Sequence, residues 1–148
     1  SYDPVSVVGS IYTKIAPKQI RDIYGDRDLF NVEDMACAIV KLSGGATIFL
    51  EVSWASYIEK EKIYLNLYGT EGGAELYPLR IFADEERTPL TITPDLSRIK
   101  KSTSMEYFID CISQDIQPTV ATIENGVKLM RIVNAIYESA TKNREVHL

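Results

Sequence analysis

"DMACAIVKLSGGATIFLEVSWAS", from Asp34 to Ser56, decides the fold. Its two arms, "DMACAIVKL" and "ATIFLEVSWAS", flank "SGG", a short glycine-containing connection that reads as a hairpin. In the second arm Ile48, Leu50, Val52 and Trp54 share one face, and Thr47, Phe49, Glu51 and Ser53 share the other. That two-residue period belongs to a strand. Upstream, "PVSVVGSIYTKI" (Pro4 to Ile15) reads as another strand, with Val5, Val7 and Ile11 on one side and Ser6, Val8 and Tyr12 on the other. Downstream, "KIYLNLYG" (Lys62 to Gly69) sets Ile63, Leu65 and Leu67 against Tyr64, Asn66 and Tyr68. The segments "AELYP", "LRIFAD" and "LTITP" follow, punctuated by Pro78, Pro89 and Pro94, as at sheet edges and turns. About six or seven strands result, most joined by segments too short for a crossover helix, so an antiparallel sheet is expected.

The period changes in the last third. "TSMEYFIDCISQD" opens with Thr103 and Glu106 at capping-box spacing and puts Met105, Phe108, Ile109 and Ile112 on one helical face. A second helix is expected from near Thr122 to about Thr141, with Leu129, Ile132, Val133, Ile136 and Ala140 as its apolar stripe. "NREVHL" then returns to strand. Strands followed by helices imply an α+β fold: a largely antiparallel open sheet with helices packed on one face and the other face available for oligomerisation. That second face carries Val8, Tyr12, Phe49, Tyr64 and Tyr68, a tyrosine-rich, low-charge surface of the kind interfaces use; scattered aromatics on a solvated sheet are the alternative. The connection from Ala16 to Glu33, with Pro17, Gly25 and "RDIYGDRD", reads either as an excursion over a ligand or partner or as a plain surface loop.

The chain has 148 residues, of which 45% are hydrophobic and 25% charged, and one soluble domain over residues 1–148 is expected. A net charge of −5 gives no positive field for nucleic acid, and no apolar run nears the roughly 18 residues of a membrane span. Cys37 and Cys111 lack metal-ligand or disulfide spacing and read as buried free thiols of a reducing, cytoplasmic setting. No initiator Met or targeting segment precedes "SYDPVSVVGS", and the chain reads as an excised piece.

Three glycines in "YGTEGGAEL" (Tyr68 to Leu76) raise the question of a phosphate cradle. A dinucleotide cradle needs a helix after the glycines, whereas "AELYPLRIF" has strand periodicity and Pro78. A hairpin turn is expected instead, with Gly72 or Gly73 supplying a positive φ. The carboxylate pairs Glu33-Asp34 and Asp84-Glu85-Glu86 are adjacent residues that point apart on a strand, and the second reads as a solvated turn. With His147 the single histidine, no Ser-His-Asp set and no metal site can be assembled. Trp54 ends a strand beside Ser53, Ser56 and Tyr57, where it reads either as a core side chain or as the rim of a pocket.

"VEDMACAIVKLSGGATIFLEVSWAS", "IYLNLYGTEGGAEL" and "YFIDCISQDIQPTVATIENGVKLMRIVNAIYESATKNREVHL" together resemble the C-terminal domain of the Gfo/Idh/MocA oxidoreductases, over nearly the whole chain. The most specific parts are Glu33-Asp34, Ser53-Trp54-Ala55, the Gly69 to Gly73 turn and "AIYESA". The resemblance implies an intact protein in which an N-terminal Rossmann domain binds NAD or NADP and a hydride passes to or from a sugar, polyol or related hydroxyl or carbonyl compound. The cofactor would do the redox step there. It further implies that the present domain supplies one wall of the substrate cleft and the sheet through which subunits associate into a homo-oligomer. The wall is expected at Trp54 and Tyr57, with Ser53 beside them. The family's cofactor-binding glycines, Glu-Lys-Pro motif and His- and Asp-bearing segment have no counterpart here. No catalytic, cofactor-binding or metal residue is therefore assigned, and the chain alone is expected to be inactive and to bind no cofactor. The alternative is a non-catalytic module that recruits a protein partner through the tyrosine-rich sheet face.

Overall fold

A computed structural model describes residues 2–15, 32–97, 99 and 102–148. The expected excursion between Ala16 and Glu33 lies almost wholly outside the described residues. The chain divides into two compact units, residues 1–57 with 117–148, and residues 58–116.

The first unit holds β1 (Pro4–Tyr12), β2 (Met35–Leu42), β3 (Thr47–Ser53) and β8 (Val146–His147), an antiparallel sheet in the order β3-β2-β1-β8. The β2–β3 hairpin closes where the Leu42 and Gly45 amides donate to Ala46 O and Leu42 O, both at 2.9 Å. Gly45, at φ +85°, supplies the left-handed residue. Helix α2 (Ile123–Lys142) begins at Thr122, whose hydroxyl accepts from the Asn125 amide, and ends at Asn143 in the left-handed conformation. It lies on one face of β1. The core is Val7, Ala38, Val40, Ala135, Ile136 and Val146, with Ile11, Leu42, Leu50 and Ile132 around it.

Two details depart from the alternation. The β1–β2 register slips between Pro4 and Ser6, so Val5 leaves the face of Val7 and is exposed. On α2 the expected stripe holds at Ile136, which is buried, and at Ile132, Val133 and Ala140, which are half-buried, but Leu129 is exposed and Ala135 and Ser139 join the buried side. Ile136 lies against β1, where Gly9 admits its backbone at close range.

Register places Val8, Ser10 and Tyr12 of β1, Met35, Cys37 and Ile39 of β2, and Phe49, Glu51 and Ser53 of β3 on the face away from α2. Val8, Tyr12, Ile39 and Phe49 are exposed there, Phe49 to 78%. Cys37, expected to be buried, is only half-buried because it lies on this uncovered face; Cys111 is buried, and both thiols are free.

The second unit holds β4 (Asn66–Tyr68), β5 (Gly73–Leu76), β6 (Leu79–Glu85) and β7 (Thr88–Ile92), paired antiparallel in that order, and helix α1 (Ser104–Ser113). The α+β class and antiparallel pairing are those expected, with the strands shared between two sheets rather than one. Tyr64 and Tyr68 belong to this second unit. The strand expected over Lys62 to Gly69 pairs only at Asn66–Tyr68. The Thr103–Glu106 capping box is present: the Glu106 amide donates to Thr103 Oγ1 at 3.2 Å, and the Thr103 amide to Glu106 Oε2 at 2.7 Å. The stripe of Met105, Phe108, Ile109 and Ile112 is exposed.

Candidate functional site

The glycine turn does not fit a pyrophosphate. It joins β4 to β5 with the Gly69 amide donating to Gly72 O at 2.8 Å, and a strand, not the helix of a dinucleotide cradle, follows it in the chain. Neither Gly72 nor Gly73 has a positive φ, which corrects the expected reason for them. Their role is close approach: a Cβ at Gly72 would lie 2.6 Å from Phe82 O of β6, and one at Gly73 2.8 Å from Leu67 O of β4. The adjoining open cleft of about 790 Å³ is lined by Tyr64, Tyr68, Phe82 and three carboxylates, Glu71, Glu75 and Asp84, with no Lys or Arg. Glu75 is ion-paired with Arg80, and the remaining charge on the lining is negative, which disfavours phosphate.

The residues singled out at the strand ends of the first sheet come together. Asp34, just before β2, is 2% exposed, and its Oδ2 accepts from the Lys14 and Ile15 amides at 2.6 and 2.7 Å, holding the chain as it leaves β1. The Asp34 amide donates to Tyr12 O at 2.8 Å. Its carbonyl accepts from Ser53 Oγ at 2.8 Å and from the Trp54 amide at 3.3 Å. Ser53 Oγ also accepts from the Ala55 amide at 3.3 Å and from Ser56 Oγ at 2.6 Å. That hydroxyl is thus occupied in shaping the turn after β3.

Trp54 follows immediately. It is not a core side chain: 58% of it is exposed. Its indole is nonetheless fixed, since Nε1–H donates to the Glu33 carbonyl at 2.8 Å. The Glu33 side chain is held in turn by Tyr137 of α2, whose hydroxyl donates to Oε1 at 2.6 Å. This bond holds the Glu33 carboxyl below the usual range and pushes the Tyr137 phenol above its own. Tyr57 lies three residues on and is 80% exposed. The structure therefore gathers Glu33, Asp34, Ser53 and Trp54 at one end of the sheet. Tyr137 was missed by the sequence, because Tyr137 and Glu33 are 104 residues apart and nothing in helical periodicity marks a hydrogen bond to a distant turn.

A second polar cluster lies where β1, β2 and β8 meet, with Glu145 Oε1 accepting from Ser6 Oγ at 2.6 Å and Lys41 Nζ at 3.2 Å. These contacts depress the Glu145 carboxyl, the Ser6 bond most of all. Among the described residues no group of three or more His, Cys, Asp or Glu is placed to hold a metal ion. No described helix is long and apolar enough to cross a membrane.

The described residues thus form a two-unit antiparallel α+β fold with a fixed, exposed indole at a strand end. Residues 4–148 match the model of the oxidoreductase family, C-terminal alpha/beta domain, and the chain belongs to this Gfo/Idh/MocA family. It is 28% identical over 151 residues to D-glucoside 3-dehydrogenase of Escherichia coli (strain K12), a match covering 97% of this chain and 42% of that protein. Among solved structures, aldose-aldose oxidoreductase from Caulobacter crescentus, complexed with glycerol, superposes with a TM-score of 0.71 at 20% identity, over 99% of this chain and 42% of that one. Levoglucosan dehydrogenase, solved with NADH and L-sorbose, gives a TM-score of 0.76 at 16% identity, over 98% and 44% respectively. The chain thus spans well under half the length of these relatives.

Proposed function

We propose that this chain is the substrate-binding and oligomerisation domain of an NAD- or NADP-dependent oxidoreductase acting on a sugar, polyol or related hydroxyl or carbonyl compound. The observation that carries the reading is Trp54: an indole anchored by its N–H yet exposed over more than half its surface, at the end of a strand in a domain of this family. Such a ring offers a rigid apolar wall against the C–H face of a sugar. Tyr57 adds a second aromatic with a hydroxyl, and Ser53 holds the turn that carries both. The relatives that act on sugars support the substrate class, and the structure solved with NADH supports the cofactor. The free thiols are in keeping with a cytoplasmic protein.

The test uses the intact protein, assayed for NAD(P)-linked oxidation of glycosides, aldoses and polyols. Trp54→Ala is expected to raise KM for the preferred sugar roughly tenfold with a smaller change in kcat, as loss of uniform binding does. Absence of turnover with every compound of these classes, or an unchanged KM in the variant, would overturn the reading.

The oligomerisation role rests on the uncovered face of the first sheet, where Val8, Tyr12, Ile39 and Phe49 are exposed together. An isologous contact through this face would bury them against a second copy. Phe49→Arg is therefore expected to shift the protein to a smaller species in sedimentation velocity. A parent that sediments only as monomer at high concentration would sink this part.

A further inference from the structure

Three side chains from distant parts of the chain stand in series at the end of the first sheet: Tyr137 on α2, Glu33 before β2 and Trp54 after β3. The peptide unit between Glu33 and Asp34 is the centre of the series. Its N–H is bound to Tyr12 O at 2.8 Å and its carbonyl receives the indole N–H at 2.8 Å, so the plane of this peptide sets where the indole edge must lie. The Asp34 side of the plane is secured by a buried carboxylate. The Glu33 side is half-buried, and there the Tyr137 hydroxyl holds the side chain at 2.6 Å. Tyr137 is itself 40% exposed, so its hydroxyl does little for the core.

We propose that Tyr137 is a positioning residue which, through Glu33, fixes the orientation of the Trp54 indole and so the shape of the substrate wall. The inference rests on the reading of Trp54 given above for its functional consequence, but its structural part stands independently. An indole has two soft torsions, and an anchored N–H removes most of the freedom of the second. Loss of the Tyr137 hydroxyl frees the Glu33 side chain, loosens the Glu33–Asp34 peptide and lets the ring swing. A bond of this kind contributes enough to change the anchored fraction by roughly threefold to tenfold.

Trp54 is the single tryptophan of the chain, so its fluorescence reports this relay alone, and a Trp54→Phe variant supplies the blank in any longer form of the protein. In Tyr137→Phe, the acrylamide quenching constant of Trp54 is expected to rise and nanosecond local motion to appear in the anisotropy decay, while far-UV circular dichroism and the melting midpoint stay near those of the parent. Glu33→Ala should reproduce the effect, and the double variant should add nothing to either single one, since both break the same series. Glu33→Gln keeps an oxygen acceptor and should restore most of the ordering. Trp54 emission, quenching and anisotropy unchanged in Tyr137→Phe would overturn the proposal, as would independent, additive effects of the two single substitutions. In the active intact protein, Tyr137→Phe should raise KM for the sugar about threefold with kcat nearly unchanged. A loosened Trp54 with unchanged KM would overturn the substrate-wall step alone, whereas absence of any sugar turnover in the parent would count against the functional reading and leave the fluorescence result standing.

Discussion

Asp34→Ala is expected to destabilise the protein by about 2–3 kcal/mol, the loss of two hydrogen bonds to one buried carboxylate set against partial rescue by water. The side chain is 2% exposed, and its Oδ2 is the acceptor for both the Lys14 and the Ile15 amide. Alanine leaves the backbone bonds of residue 34 in place but removes the oxygen that turns the chain after β1. Lys14 is exposed, so solvent can replace part of what is lost, which keeps the estimate below the full cost of two orphaned donors. Asp34→Asn can present an oxygen at the same place and should cost less than half as much. Urea unfolding of the three proteins checks the order, and an alanine variant within about 0.5 kcal/mol of the parent, the range of ordinary surface substitutions, would refute it. Loss at this position should also disturb Trp54, because Asp34 O accepts from the Ser53 hydroxyl and the Trp54 amide.

Much of this architecture is legible in the sequence because strands and helices write their periods into it. The β2–β3 hairpin, the capping box at Thr103 and the limits of α2 all follow from local pattern. What escapes is non-local or chemically unmarked. The β6–β7 turn falls where Asp84-Glu85-Glu86 reads as a solvated turn, but its left-handed residues, Glu86 and Arg87 at φ 50° and 66°, are not the Asn or Gly that usually announce that conformation. Gly72 and Gly73 announce a special position, but only the neighbouring strands show that the reason is space rather than backbone conformation. At the candidate site, Ser53 and Trp54 stand out as a strand end, whereas the division of labour between them needs coordinates: one hydroxyl is tied into the turn and one indole is left open. Ser139 reads as a polar residue on a helix, yet it is 1% exposed. Its hydroxyl accepts from the Gly9 amide at 3.0 Å and donates to Arg144 O at 2.7 Å, joining β1, α2 and the start of the last strand.

Gly9 is where pattern and packing disagree most sharply, and Gly9→Val should expose the disagreement. By propensity alone, valine in the middle of β1 is an improvement on glycine. By packing it is expected to cost about 3 kcal/mol, at the upper end for overfilling a core. A Cβ at this position would lie 2.9 Å from Ile136 Cγ2, 3.2 Å from Ile136 Cα and 3.3 Å from Ile136 O, so backbone as well as side chain stands in the way. Helix α2 must then retreat from β1, stretching the bond from the Gly9 amide to Ser139 Oγ and opening the contacts among Val7, Ala38, Val40, Ala135 and Ile136. Gly9→Ala meets the same atoms with one carbon and should cost about 1–2 kcal/mol. A double-mutant cycle separates the two obstacles: in an Ile136→Ala background the methyl is gone and the penalty of Gly9→Ala should shrink, but the Cα remains and the penalty should not vanish. Stabilisation by Gly9→Val in thermal or urea unfolding would mean that strand propensity rules this position and that the close approach of α2 to β1 is not required.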